Sequence, residues 1–202
     1  MTDRPNRGQL ISFEGLDQSG KQTQAERLLA AVRGRGREAH FLSFPDYSTA
    51  IGAEIGRALQ GDRDYAADVM QLLYVANRYE FRRSIEKWLA DGAVVVCDRY
   101  LASSIAYGEA QGEDAQWLTT IQIHLPKPSL TLLLDIPPEA SLKRKADDRD
   151  RYERDTQLLQ RVRESYLRQA AQADWHRIDG SGDKDAVTDA VFSAVRTRLG
   201  LL

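Results

Sequence analysis

The sequence predicts a layered α/β fold in which helices cover both faces of a parallel sheet. Three observations carry this. Short apolar, β-branched runs recur at Leu10 to Phe13, Ala39 to Phe44, Ala93 to Cys97 and Leu130 to Ile136, with a weaker one at Trp175 to Ile178. The strongest are nearly continuous rather than alternating, as strands buried on both faces are. Between them lie stretches with an apolar period near 3.6, and strand-helix alternation of this kind gives right-handed crossovers onto one sheet. The 202 residues are 42% hydrophobic and 29% charged, which fits one sizeable core, so residues 1–202 are expected to form a single domain.

Taken in order, Leu10 to Phe13 opens the sheet and runs into a glycine-containing turn, after which Gln24 to Arg33 reads as a helix closed by Gly34. The second strand, Ala39 to Phe44, is followed by a long helix over Ala67 to Leu89, with Val69, Leu73, Ala76, Phe81, Ile85 and Trp88 on its apolar positions. Cys97 closes the third strand behind Val94, Val95 and Val96, a setting for a buried thiol rather than a reactive one. After the fourth strand, Leu158, Val162, Tyr166 and Ala170 mark one helix, and Val187, Val191, Ala194 and Leu199 mark the last. There is no internal repeat. The strongly polar stretch from Lys143 to Asp155, KRKADDRDRYERD, reads by itself as a solvated loop or helix end.

The formal charge of -2 provides no global field for nucleic acid or an anionic membrane, so neither is expected as a partner and any affinity for phosphate must be local. A single cysteine rules out an internal disulfide and fits a reducing compartment. No apolar run approaches the roughly 20 residues that span a bilayer. A soluble, cytoplasmic protein is the expectation.

Local phosphate affinity is written at Gly15 to Thr23. Gly15 and Gly20, four residues apart and followed by Lys21, match G-x-x-x-x-G-K between a strand and a helix, the context this motif requires. The glycines let successive N–H groups curl around one anion, the helix adds its positive end, and Lys21 brings an ammonium to the β and γ phosphates. Gln22 stands where the motif ordinarily places the hydroxyl that ligates Mg²⁺. Thr23 is adjacent but points about 100° away on a helix. Gln22 or Thr23 is therefore the candidate ligand, with Mg²⁺ held mainly by the phosphates of ATP.

Many enzymes use this loop, and four further segments choose among them: Phe44-Pro45, Ala76-Asn77-Arg78-Tyr79-Glu80, Asp98-Arg99-Tyr100 with Ser103-Ser104, and Leu125-Pro126-Lys127-Pro128. Together with FEGLDQSGKQTQ at Phe13 to Gln24 they resemble the thymidylate kinase family, in order and over nearly the whole chain. The resemblance implies a P-loop kinase fold around a five-stranded parallel sheet, a homodimer, and transfer of the γ-phosphoryl of ATP to dTMP. It also implies an ATP site of Gly15, Leu16, Asp17, Gln18, Ser19, Gly20, Lys21, Gln22 and Thr23, with Arg144 packed on adenine. The implied dTMP site is Asp17, Phe44, Pro45, Tyr47, Tyr74, Arg78, Arg99, Ser103, Ser104 and Tyr107.

The chemistry of these residues agrees. Phosphoryl transfer needs cations converging on the gap between donor and acceptor. Arg99, just beyond a central strand, is placed for this, the competing reading being an ion pair with Asp98. Tyr74 and Arg78 are four apart on one helix face, so a ring can stack on a base whose edge the guanidinium reads. Ser103 and Ser104 correspond to positions that help read the thymine edge, Tyr107 to the ring that disfavours a 2′-hydroxyl, and Asp17 to the carboxylate near the acceptor's 3′-hydroxyl. Two departures stand out. Tyr47 follows Phe-Pro-Asp where many members carry an arginine, which shifts phosphate binding towards Arg99. Ser129 follows Leu-Pro-Lys-Pro where aspartate is common.

The resemblance also gives the polar stretch a role. Some members carry a catalytic arginine in the phosphate loop and others in a lid. Gln18 in the loop places this chain with the second kind, which makes residues 143–155 a short lid. Arg149 is the first candidate for the catalytic cation beside Lys21, Arg99 and Asp17, with Lys145 and Arg151 next. The rival readings are a kinase for another nucleoside monophosphate or deoxynucleoside, and a nucleotide-binding module with weakened catalysis.

Overall fold

A computed structural model of the chain describes residues 8–144 and 155–202. Five parallel strands form one sheet in the order β2-β3-β1-β4-β5: β1 Gln9–Glu14, β2 Ala39–Ser43, β3 Val94–Asp98, β4 Leu130–Asp135 and β5 Trp175–Asp179. Around it lie α1 Lys21–Gly34, α2 Ala50–Gln60, α3 Ala67–Ala90, α4 Leu101–Ala110, α5 Ala115–Thr120, α6 Pro138–Arg144, α7 Thr156–Gln169 and α8 Lys184–Leu199.

The near-continuous apolar strands have the predicted cause. Along β1, Ile11 and Phe13 pack with Leu28 and Val32 of α1 and Val191 and Val195 of α8. Leu10, one residue before Ile11 and so out of phase with both, faces the opposite side with Val95, Cys97 and Ile85 of α3. Leu133 meets Val162 and Tyr166 of α7 and Ala106 of α4. Each such fully buried aliphatic contributes about 1.5–3 kcal/mol, which is why both sheet faces must be covered.

The differences from the expected elements have local reasons. α1 begins at Lys21, immediately beyond the left-handed Gly20, and it runs through Gly34 because Gly36, at φ 74°, makes the left-handed exit. α2, α4, α5 and α6 had no counterpart among the expected helices. α4 is built largely of small residues and displays no clear apolar stripe, whereas α2 does carry one, Ile51, Ile55 and Leu59 four residues apart, interrupted by Gly52 and Gly56. Thr49 nonetheless caps α2, accepting from Gly52 N at 3.0 Å.

Topology positions the site. The chain leaves β1 for the edge strand β2, returns to β3 on one side of β1, and continues to β4 on the other. The crevice at the carboxyl ends of β1 and β3 therefore lies between outgoing helices, where open α/β sheets bind ligands.

Candidate active site

The turn after β1 is shaped for an anion by two glycines. Gly15 has φ 139°, and a Cβ there would meet the carbonyl oxygen of Leu134 at 2.4 Å, so β4 can approach only a glycine. Gly20, at φ 95°, turns the chain into α1 and leaves the helix's first N–H groups facing the loop. Lys21 is buried, and its Nζ donates to the carbonyl of Leu16 at 2.8 Å, closing the loop on itself. Burial and the charge of Arg99 pull its pKa down to about 8, against the support of Asp17, Asp98 and Glu14. Gln22 is exposed and donates to Glu26 Oε1 at 2.9 Å, while Thr23 is half-buried. Arg144 bridges the carbonyls of Gln18, at 3.0 Å, and Gly180, at 3.1 Å.

Beside this loop, one cleft is lined by Asp17, Phe44, Pro45, Tyr47, Tyr74, Arg78, Arg99, Ser103, Ser104 and Tyr107, the whole expected acceptor set, together with Leu59, Gln71 and Gln111. Phe44 and Pro45 are joined by a cis peptide bond, and Phe44 lies edge-on to Phe81 and tilted against Tyr100. Asn77 pins the segment that follows: its Oδ1 accepts from Asp46 N at 2.8 Å and its Nδ2 donates to Thr49 Oγ1 and to Glu80 Oε2, both at 2.9 Å. Arg78 is 3% exposed, donates to Ser104 Oγ at 2.7 Å and stands 5.9 Å above the Phe44 ring.

Arg99 joins cleft to loop. Its Nη2 donates to Asp17 Oδ1 at 2.6 Å and to Tyr107 OH at 3.2 Å, and its Nη1 to Ser103 Oγ at 3.2 Å and Tyr166 OH at 3.3 Å. Its ion pair is thus with Asp17 and not with its neighbour Asp98. Burial opposes its charge, but Asp17 more than compensates and holds its pKa well above the ordinary guanidinium value. Burial likewise works against the Asp17 carboxylate. Arg99, then Lys21, override it and bring the pKa to about 2 from an ordinary 3.8.

The backbone of Arg99 is left-handed, at φ 62°, a conformation that costs a non-glycine residue about 1 kcal/mol or more. Its neighbours hold it there. Arg99 N donates to the carbonyl of Phe13 at 2.9 Å, and Tyr100 N donates to Glu14 Oε1 at 2.8 Å. Glu14 is itself fully buried, its Oε2 accepting from Ser103 Oγ at 2.7 Å and Tyr166 OH at 3.1 Å.

Glu14, Asn77 and Tyr166 were not among the expected site residues. Glu14 and Asn77 lie inside the motif segments, where an acidic residue at a strand end and an asparagine in a helix interior were the available signals. Tyr166 read as an apolar helix position, which it also is. Cys97 is buried as expected, and burial pushes its thiol pKa far up. The lid candidates Lys145, Arg149 and Arg151 lie outside the described residues.

Comparison with known proteins places this geometry. The family model described as Thymidylate kinase matches residues 13–191. A thymidylate kinase of Caenorhabditis elegans is 35% identical over 201 residues, covering 95% of this chain and 92% of its own. The human thymidylate kinase is 33% identical over 206 residues, covering 97% of both. A solved thymidylate kinase structure from Candida albicans superposes with a TM-score of 0.81 at 33% identity, covering 95% of this chain and 92% of that one. A match of this length and identity means that the chain belongs to the thymidylate kinase family.

Proposed function

We propose that this enzyme transfers the γ-phosphoryl of ATP to dTMP, giving dTDP and ADP. The observation that carries the reading is the Arg99–Asp17 contact of 2.6 Å, which ties a base-sized cleft to the phosphate loop. In this reading Lys21 exchanges the Leu16 carbonyl for the β and γ phosphates. Arg99 holds the acceptor phosphate in line with them. Asp17 stands beside the acceptor's 3′-hydroxyl, Tyr74 stacks on the base, Arg78 and Ser104 read its edge, and Tyr107 excludes a 2′-hydroxyl. Arg144 turns to adenine, and Arg149 of the lid supplies the last cation.

Mg²⁺ bound with ATP would neutralise charge on the β and γ phosphates. Among the described residues no cluster of three or more His, Cys, Asp or Glu side chains could cage a metal. Asp98 at the end of β3 fits such an ion, since its Oδ1 is buried without a hydrogen-bond partner. Thr23 or Gln22 would complete the protein side, Gln22 after releasing Glu26.

We further propose a cytoplasmic homodimer. Val69 and Leu72 on α3, 38% and 47% exposed, provide apolar surface for self-association, and no helix among the described residues is long and apolar enough to cross a membrane. Sedimentation equilibrium reads the dimer directly. Steady-state ADP release with dTMP, dUMP, dCMP and dGMP tests the activity. The expected order places dTMP first by kcat/KM, and ATP binding without turnover on dTMP refutes the proposal.

A further inference from the structure

Four glutamines are buried almost completely: Gln24, Gln71, Gln122 and Gln169. Three are satisfied by the protein. Gln24 donates to the carbonyl of Lys184 and accepts from Thr188, Gln122 donates to the carbonyls of Leu101 and Leu118, and Gln169 donates to the carbonyl of Ala102. Gln71 differs. It is 0% exposed, yet neither its Oε1 nor its Nε2 meets a hydrogen-bond partner among the described residues.

An unpaired buried carboxamide is costly, and a glutamine retained for packing alone would be better replaced by leucine or methionine. Its position supplies the reason. Gln71 lines the acceptor cleft. It stands three residues before Tyr74 and seven before Arg78 on α3, spacings that place all three on one helix face. Arg78 Nε on that face is also buried and unpartnered.

We propose that Gln71 reads the base of the acceptor nucleotide. This rests on the cleft being the dTMP site. A carboxamide presents an acceptor beside a donor, the complement of an imide N–H beside a carbonyl on thymine or uracil. Its amide can turn over to suit an amino group beside a ring nitrogen. Arg78 cannot, because a guanidinium only donates. Gln71 therefore supplies affinity for a base and Arg78 supplies the preference for a carbonyl-bearing one.

The test is Gln71→Leu, with Gln71→Met if the leucine variant does not fold, assayed by steady-state kinetics on dTMP, by inhibition with 2-deoxyribose 5-phosphate, and by thermal melting. Losing the base contacts is expected to raise KM for dTMP roughly 10- to 100-fold while kcat stays within about threefold. The base-free inhibitor should bind both proteins equally, and the variant should melt at or above the wild-type temperature, since no internal hydrogen bond is lost. An unchanged KM, or an equal loss for dTMP and 2-deoxyribose 5-phosphate, overturns the role of Gln71 alone. A wild-type enzyme inactive on dTMP overturns the acceptor assignment, and this inference with it.

Discussion

Replacing Asp17 with asparagine keeps the shape of the side chain and removes its charge. The carboxylate is 29% exposed and accepts from Arg99 at 2.6 Å and Tyr107 at 3.1 Å. Its pKa stands at about 2 against an ordinary 3.8, burial being outweighed by Arg99 and Lys21. At about 1.4 kcal/mol per pH unit, that depression corresponds to roughly 2 kcal/mol of folding stability. The folded pKa lies below the unfolded one. The contribution is therefore fully present above about pH 4 and is lost as pH falls towards 2. An asparagine at this position resembles a protonated aspartate, so wild type and Asp17→Asn should differ by roughly 2 kcal/mol at pH 7, or about 4–8 °C in Tm for a chain of this length. The gap should close as the buffer is acidified. Urea denaturation of both proteins at pH 7, 4, 3 and 2.5 measures it. A gap that is absent at pH 7, or that stays constant down to pH 2.5, would refute the claim that the Arg99–Asp17 pair stabilises the fold.

Lys21→Met should abolish turnover yet raise the Tm of the ligand-free protein, because an ammonium whose pKa is pulled to about 8 is held at a cost that persists below that pH and is relieved only as pH rises towards 10.5. Calorimetric melts at pH 7, with ADP release as the activity check, read both effects. In wild type, ATP affinity measured by titration calorimetry should weaken as pH rises past 8, as the lysine loses its proton in the free enzyme. Asn77→Ala removes the bonds that pin Asp46 and Thr49 and should cost about 3 kcal/mol in urea denaturation, with a larger effect on KM for dTMP than for ATP.

The fold was legible where periodicity is strong. α3 and the buried strands follow from their apolar runs, and even the weak run at Trp175 to Ile178 proved to be β5. α4 was not legible, since its small residues leave no stripe and its helicity comes from tertiary packing, while the stripe of α2 is only Ile51, Ile55 and Leu59, set among two glycines in an 11-residue helix. The residues lining the cleft could be named because short motifs place chemically distinctive groups at strand ends. Gln71, Glu14 and Tyr166 escaped because each is defined by a partner, or by the lack of one, remote in sequence. Glu14 and Tyr166 are 152 residues apart. The sequence spacing around Lys21 likewise could not show that Gln22 bonds along its own helix to Glu26.

The Glu14–Tyr166 bond bears on how the proposed lid and acceptor site would communicate. α7 begins immediately beyond the expected lid segment, where Asp155 caps it by accepting from Gln157 N and Leu158 N. Ten residues into that helix, Tyr166 touches Glu14, Ser103 and Arg99 at once. Glu14 in turn holds the backbone of Tyr100 and so the left-handed turn that aims Arg99. Arg99 is thus fixed by β1, by the loop after β3 and by α7 together. A buried network of this kind has few alternative arrangements, because each member left unpaired would cost about 1–3 kcal/mol. A shift of α7 therefore cannot leave Arg99 untouched, and in the proposed function an acceptor phosphate competing with Asp17 for the same guanidinium would act on that network from the opposite end.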